Sequence, residues 1–148
     1  MRSSFVTMAV VATSLMGFGC GKANGPELAP VLGTITLDGQ PLPEMNIQFA
    51  PEATGGSPSF GGTNADGEYR LLFSQNRKGA VPGKHRVEIT PRERKTDDSG
   101  NPIGQEPVKL PAKYRKPGAL SAEVKPGANT IDFRLDSQPD PADAKKKR

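Results

Sequence analysis

Few side chains in this chain could do chemistry, and they do not cluster. There is one histidine, His85, one cysteine, Cys20, and no tryptophan. His85 falls in phase with Val87 and Ile89 on an alternating stretch, so it is expected at the edge of the core, hydrogen-bonded to backbone. Zinc would need further His or Cys ligands, and the composition supplies none beside it. Asn64, Asp66 and Glu68, and again Asp97-Asp98-Ser99-Gly100-Asn101, could offer oxygens to Ca²⁺. Neither group has the D-x-[DN]-x-[DN]-G spacing of a calcium loop, and Asx turns account for both, so no metal and no cofactor is assigned. No two carboxylates are marked out for glycoside hydrolysis. Val31–Leu37 holds no lysine for an intramolecular isopeptide bond. Lys113, Tyr114, Arg115 and Lys116 remain as the best candidate ligand contact, an amphipathic aromatic among cations. The competing expectation is that Tyr114 simply closes a long loop over the domain.

Cys20 carries a different chemistry. Arg2, the apolar run from Phe5 to Met16 and the Gly17-Phe18-Gly19 cleavage region read as a secretory signal, too short to span a bilayer comfortably. An unpaired thiol in an exported chain is otherwise a liability. A cysteine directly after such a segment resembles a bacterial lipobox, in which it becomes the new N-terminus with lipid on its sulfur. Here Gly17 stands where that motif usually has Leu, and Leu15 lies two places earlier. The expectation is a signal peptide over 1–19, lipidation at Cys20, and a chain held to the membrane of the cell envelope. The anchor is expected at the outer membrane or the periplasmic face; Gly21 after the cysteine, in place of Asp, resembles a lipoprotein sorting signal for the outer membrane. A secreted soluble protein is the alternative.

The remaining organisation is simple. The formal net charge of +4 equals that of the tail Lys145–Arg148 alone, so the domain itself is nearly neutral and nucleic acid is not an expected partner. Residues 20–30 read as a Gly/Pro-containing tether, 31–136 as one domain, and 137–148 as a disordered basic tail.

Within the domain the apolar residues alternate, and none recur at helical spacing. Seven stretches read as strands: Val31–Leu37, Met45–Phe49, Ser59–Thr63, Tyr69–Phe73, Gly83–Thr90, Leu120–Val124 and Thr130–Leu135. Asp66-Gly67 supplies a tight turn before the fourth. Pro41 and Pro43 are expected to keep the segment 40–43 out of any ladder. Ser59–Thr63 is expected at a sheet edge, and the last two stretches are expected to pair across the turn 125–129. The expected core is Val31, Ile35, Leu37, Met45, Ile47, Phe49, Tyr69, Leu71, Phe73, Val87, Ile89, Leu120, Ala122, Val124, Ile131, Phe133 and Leu135. Phe60 and Tyr114 are the only aromatics left outside the core and the signal. The segment 91–118 is the longest irregular one, and loops of that length are often functional or mobile.

The order of Val31-Leu32-Gly33-Thr34-Ile35, Asp38-Gly39-Gln40-Pro41-Leu42, Ile47-Gln48-Phe49, Thr63-Asn64-Ala65-Asp66-Gly67-Glu68-Tyr69 and Pro82-Gly83-Lys84-His85-Arg86-Val87 resembles the carboxypeptidase regulatory-like domain. Leu110–Tyr114 and Leu120–Leu135 resemble the ending of small planctomycete-type lipoproteins that carry it. The resemblance implies an all-β, seven-stranded Greek-key sandwich of transthyretin-like (prealbumin-like) type. His85 stands where that family usually has Tyr, and Asn64 where it often has Asp. It further implies a non-catalytic interaction module, whose partner would be an envelope protein or a polysaccharide. A carbohydrate-binding accessory module is the second reading, and a small hydrolase the third. Transthyretin-like hydrolases of purine breakdown need several histidines at one site, which a single histidine cannot reproduce.

Overall fold

Each of the seven alternating stretches carries strand, but two of them break, and short additions bring the number of strands among the described residues to eleven. The computed structural model describes residues 25–103, 106 and 108–138; the signal segment, Cys20, and the tail from 139 lie outside the described residues. In chain order the strands are β1 (Val31–Leu37), β2 (Gln40–Pro41), β3 (Met45–Pro51), β4 (Ser59–Gly62), β5 (Glu68–Arg70), β6 (Leu72–Ser74), β7 (Arg77–Lys78), β8 (Gly83–Pro91), β9 (Leu120–Val124), β10 (Asn129–Thr130) and β11 (Phe133–Leu135). A 3₁₀ turn spans Ala112–Arg115.

The strands form two sheets. In the first, β1 is central, with β5 and β2 antiparallel on one side and β10 and β11 parallel on the other. The second is antiparallel throughout, in the order β7-β6-β4-β3-β8-β9. Period-2 alternation sends one face of each sheet inward, so the two apolar faces bury each other as an all-β sandwich. Phe49 of β3 lies at the centre. Its ring is 6.4 Å from Tyr69 and 6.1 Å from Phe133, both from the opposite sheet, and 5.7 Å from His85 on the same sheet.

Several expectations are corrected. The stretches over β9 and β10–β11 do not pair. β9 pairs with β8, while β10 and β11 cross to the first sheet and pair with β1. Alternation states which face of a strand is buried, not which neighbour it takes. Here the two apolar stripes are placed in different sheets. β4 is not an edge; it lies between β3 and β6. The proline-rich segment does enter a ladder. Pro41 pairs with Thr36 at the sheet margin, and the amide that Pro41 lacks is supplied by Leu42, whose N–H donates to the Ile35 carbonyl at 2.9 Å. Leu42, outside the expected core, is fully buried.

Phe73 leaves the expected core because the strand changes sheets at Leu71. β5 pairs with β1 and β6 with β4, and the buried Leu71 between them donates its N–H to the Val31 carbonyl at 3.0 Å. Phe73 emerges half-buried, with the Arg77 guanidinium 5.4 Å from its ring centre. Leu37, Leu120, Ala122 and Ile131 are partly buried against the core rather than sealed in it.

The domain also extends past the expected boundaries. Ala29 is buried and exchanges two backbone hydrogen bonds with Ala80, at 2.8 and 3.0 Å, so the end of the tether belongs to the sandwich. Ser137, expected in the tail, donates its N–H to the Asp38 carboxylate at 2.9 Å.

One buried polar contact fixes the corner between β4 and β3. The Thr63 hydroxyl accepts the Met45 N–H at 2.9 Å, and the Thr63 N–H returns a bond to the Met45 carbonyl at 2.9 Å.

Candidate functional site

The strand directions sort the loops to two ends. Gly25–Pro30 enters beside the start of β1, where Ala80 bridges Ala29 and the turn 125–128 leads to Asn129. Arg77, which reaches over Phe73, also donates to the Pro26 carbonyl and pins the incoming chain there. The other end of β1 holds the turn at Asp38-Gly39, the Asn64–Gly67 turn, the start of the long loop after Pro91, and Asp136. Seven residues of β1 separate the two ends by about 20 Å.

The Asn64–Gly67 turn is built on one side chain. Asn64 Oδ1 accepts the N–H groups of Asp66 at 3.0 Å and Glu68 at 2.9 Å, and Asn64 Nδ2 donates to Glu68 at 3.1 Å. Gly67 has φ +73°, and a Cβ there would lie 2.5 Å from the Ile35 carbonyl oxygen, so both conformation and space require glycine. In the long loop Asp97 plays the part of Asn64. It accepts from the N–H groups of Ser99 and Asn101, at 3.0 and 2.8 Å, and from the Asn101 amide at 3.2 Å. The backbone bond from Asn101 is the main reason its carboxyl sits below the usual range. The side-chain oxygens of Asn64 and Asp97 are thus taken up by turn geometry.

His85 is buried, and its Nε2–H donates to the Val81 carbonyl at 2.8 Å. Among the described residues its Nδ1 has no hydrogen-bond partner, and neither has the buried Ser59 hydroxyl. The imidazole packs beside the Phe49 ring, 5.7 Å between centres, out of solvent.

The four residues of the expected contact patch divide. Arg115 and Lys116 are exposed. Tyr114 is half-buried against the core, its hydroxyl donates to Asp136 Oδ2 at 2.9 Å, and the same oxygen accepts the Asp136 N–H at 3.1 Å. Lys113 pairs with Asp136 and lies 5.0 Å from the centre of the Tyr114 ring. Tyr114 thereby ties the end of the long loop to Asp136, immediately after β11. Sequence reasoning missed Asp136, because a carboxylate 22 residues downstream gives no local signal.

This latch has a pH window. The hydrogen bond from Lys113, then that from Tyr114, holds the Asp136 carboxyl below its ordinary value of 3.8, and Ser137 does the same for Asp38. The bond to Asp136 raises Lys113 above 10.5. Carboxyls depressed on folding contribute stability that is complete above 3.8 and lost as pH falls through their lowered values. The raised lysine contributes below 10.5 and loses its contribution as pH rises through its folded value. Thermal melts of Asp136→Asn are expected to change less than wild type on acidification below about pH 4. Identical pH profiles for the two proteins would contradict the latch.

No family model, curated protein or solved structure matches the chain. Among the described residues no three His, Cys, Asp or Glu side chains converge as metal ligands, and no helix is long and apolar enough to cross a membrane.

Proposed function

We propose that this chain is a lipid-anchored, extracytoplasmic display module: a non-catalytic, Greek-key sandwich of the carboxypeptidase regulatory-like type, tied to the envelope through Cys20. The observation that carries the reading is the division of the two ends. The chain from Cys20 meets the sandwich at the β1 start, where Arg77 holds Pro26, while the long loop starts at the opposite end. From Cys20 to Gly25 the chain can span at most about 20 Å. An anchor at Cys20 would therefore hold the entry end near the lipid and present the turns at 38–44 and 64–67 and the long loop away from it. The buried position of the single histidine and the turn-bound oxygens of Asn64 and Asp97 favour contact over catalysis.

Fractionation of cells expressing wild type or Cys20→Ala, with palmitate labelling, tests the anchor. Wild type is expected in the membrane fraction carrying label, and the variant in the soluble fraction without it. A soluble, unlabelled wild type would replace the anchored module with a secreted one.

A further inference from the structure

The outer face of the second sheet carries a row that pairing register assembles from five strands. Directly opposed residues on antiparallel neighbours share a face. Gln48 opposes Glu88 on one side and Phe60 on the other, Phe60 opposes Leu72, and Leu72 opposes Lys78. The row Glu88–Gln48–Phe60–Leu72–Lys78 crosses β8, β3, β4, β6 and β7, a distance of about 19 Å at the usual strand spacing. Asn46 and Thr90 oppose each other one step along. Phe60 is 51% exposed, far more than any core aromatic, and it borders a shallow groove of about 300 Å³ with Asn46, Gln48, Glu88 and Thr90. On β4 the next outward position is Gly62, so no side chain of that strand screens the ring.

We infer that this face binds a neutral, extended polysaccharide, with Phe60 as the stacking platform and Asn46, Gln48 and Glu88 taking hydroxyl groups. An exposed ring gives an apolar surface for the C–H face of a sugar, and planar amides and carboxylates suit its vicinal hydroxyls. Here those polar groups are unspent: the side chains of Asn46, Gln48, Glu88 and Thr90 make no hydrogen bond to another described residue. This contrasts with Tyr114, whose hydroxyl is already bonded to Asp136. The groove holds one carboxylate, Glu88, with exposed Arg86 beside it on the same face of β8 and Lys78 at the far end of the row, so the face carries charges of both signs rather than a field of one sign; the nearby Arg92 is paired with Glu44 at 3.2 Å. A second copy is a poor occupant. The exposed apolar residues of this face are only Phe60 and Leu72, amid polar and charged side chains, which is a small apolar centre for a stable protein interface. The row matches the length of a few linked sugars laid across the strands. The inference rests on the reading of the chain as a non-catalytic contact module and names what it contacts, and it stands or falls separately from the anchor.

The test is affinity electrophoresis of the full chain carrying Cys20→Ala, in gels containing hydroxyethyl cellulose, mixed-linkage glucan, xyloglucan or galactomannan. Retardation by at least one polymer is expected. Phe60→Ala should weaken it tenfold or more and Gln48→Ala several-fold, with the melting temperature held and with Tyr114→Phe behaving as wild type. Absence of retardation in all four gels, or retardation that survives Phe60→Ala, would overturn the assignment. So would a concentration-dependent dimer that Phe60→Ala dissolves, since the face would then belong to a second copy. Because acylation is absent from every sample, none of these results bears on whether Cys20 is an anchor.

Discussion

Phe49→Ala is expected to destabilise the domain by about 3–5 kcal/mol, the range for truncating a buried aromatic. Phe49 is completely buried, and its ring meets Tyr69 and Phe133 from the facing sheet as well as His85 from its own. Tyr69 and Phe133 also lie 6.4 Å apart, so three rings from two sheets form one cluster. Removing the central ring leaves a cavity that the neighbours cannot close without shifting both sheets. A domain of this size has a total stability of about 5–15 kcal/mol, so the variant should lie near its unfolding threshold. Chemical denaturation of the two proteins measures the difference. A loss below about 1 kcal/mol would mean that the core is not organised around this ring.

Gly33→Ala is the second large effect, from crowding rather than from a void. Gly33 lies in the middle of β1, and a Cβ there would stand 1.8 Å from the Ile131 carbonyl oxygen and 3.1 Å from the Tyr69 ring. That carbonyl accepts the Tyr69 hydroxyl at 2.7 Å, and the Ile131 N–H donates to the Leu32 carbonyl at 2.8 Å. The bare backbone of Gly33 lets the break between β10 and β11 sit directly on β1. Burial, and secondarily the Asp132 charge, keeps the Tyr69 phenol protonated far above its ordinary range, so it remains a donor. An added methyl must push Ile131 away and strip Tyr69 of its acceptor. The expected cost is about 2–4 kcal/mol, from overpacking and a lost buried hydrogen bond together. Equal stability of Gly33→Ala and wild type in the same denaturation experiment would show that the crossing segment is not seated on β1.

These two residues also mark what a sequence can and cannot disclose. Phe49 is legible, because Met45, Ile47 and Phe49 alternate with polar residues and leave no other face to bury. Gly33 is legible only as a place where backbone could approach closely; that the approaching chain is Ile131 depends on a parallel pairing across the length of the domain. The same limit explains the misplaced strands. Leu120–Val124 and Thr130–Leu135 have the pattern of a hairpin, and nothing local says that the four-residue connection 125–128 carries the chain to the other sheet. Phe73 fits the period but lies beyond the sheet change at Leu71, while Leu42 sits between prolines and has no pattern to betray its burial. The Phe60 row is the extreme case, since its members come from five strands and meet only through register. Tyr114 was visible as an amphipathic residue, but its partner Asp136 was not.

Intact mass of the protein extracted from expressing cells tests the proposed lipid anchor at Cys20. The expected species begins at Cys20, lacks residues 1–19, and carries the added mass of a diacylglyceryl group. A mass equal to that of an unmodified chain, whether full-length or cut elsewhere, would contradict it.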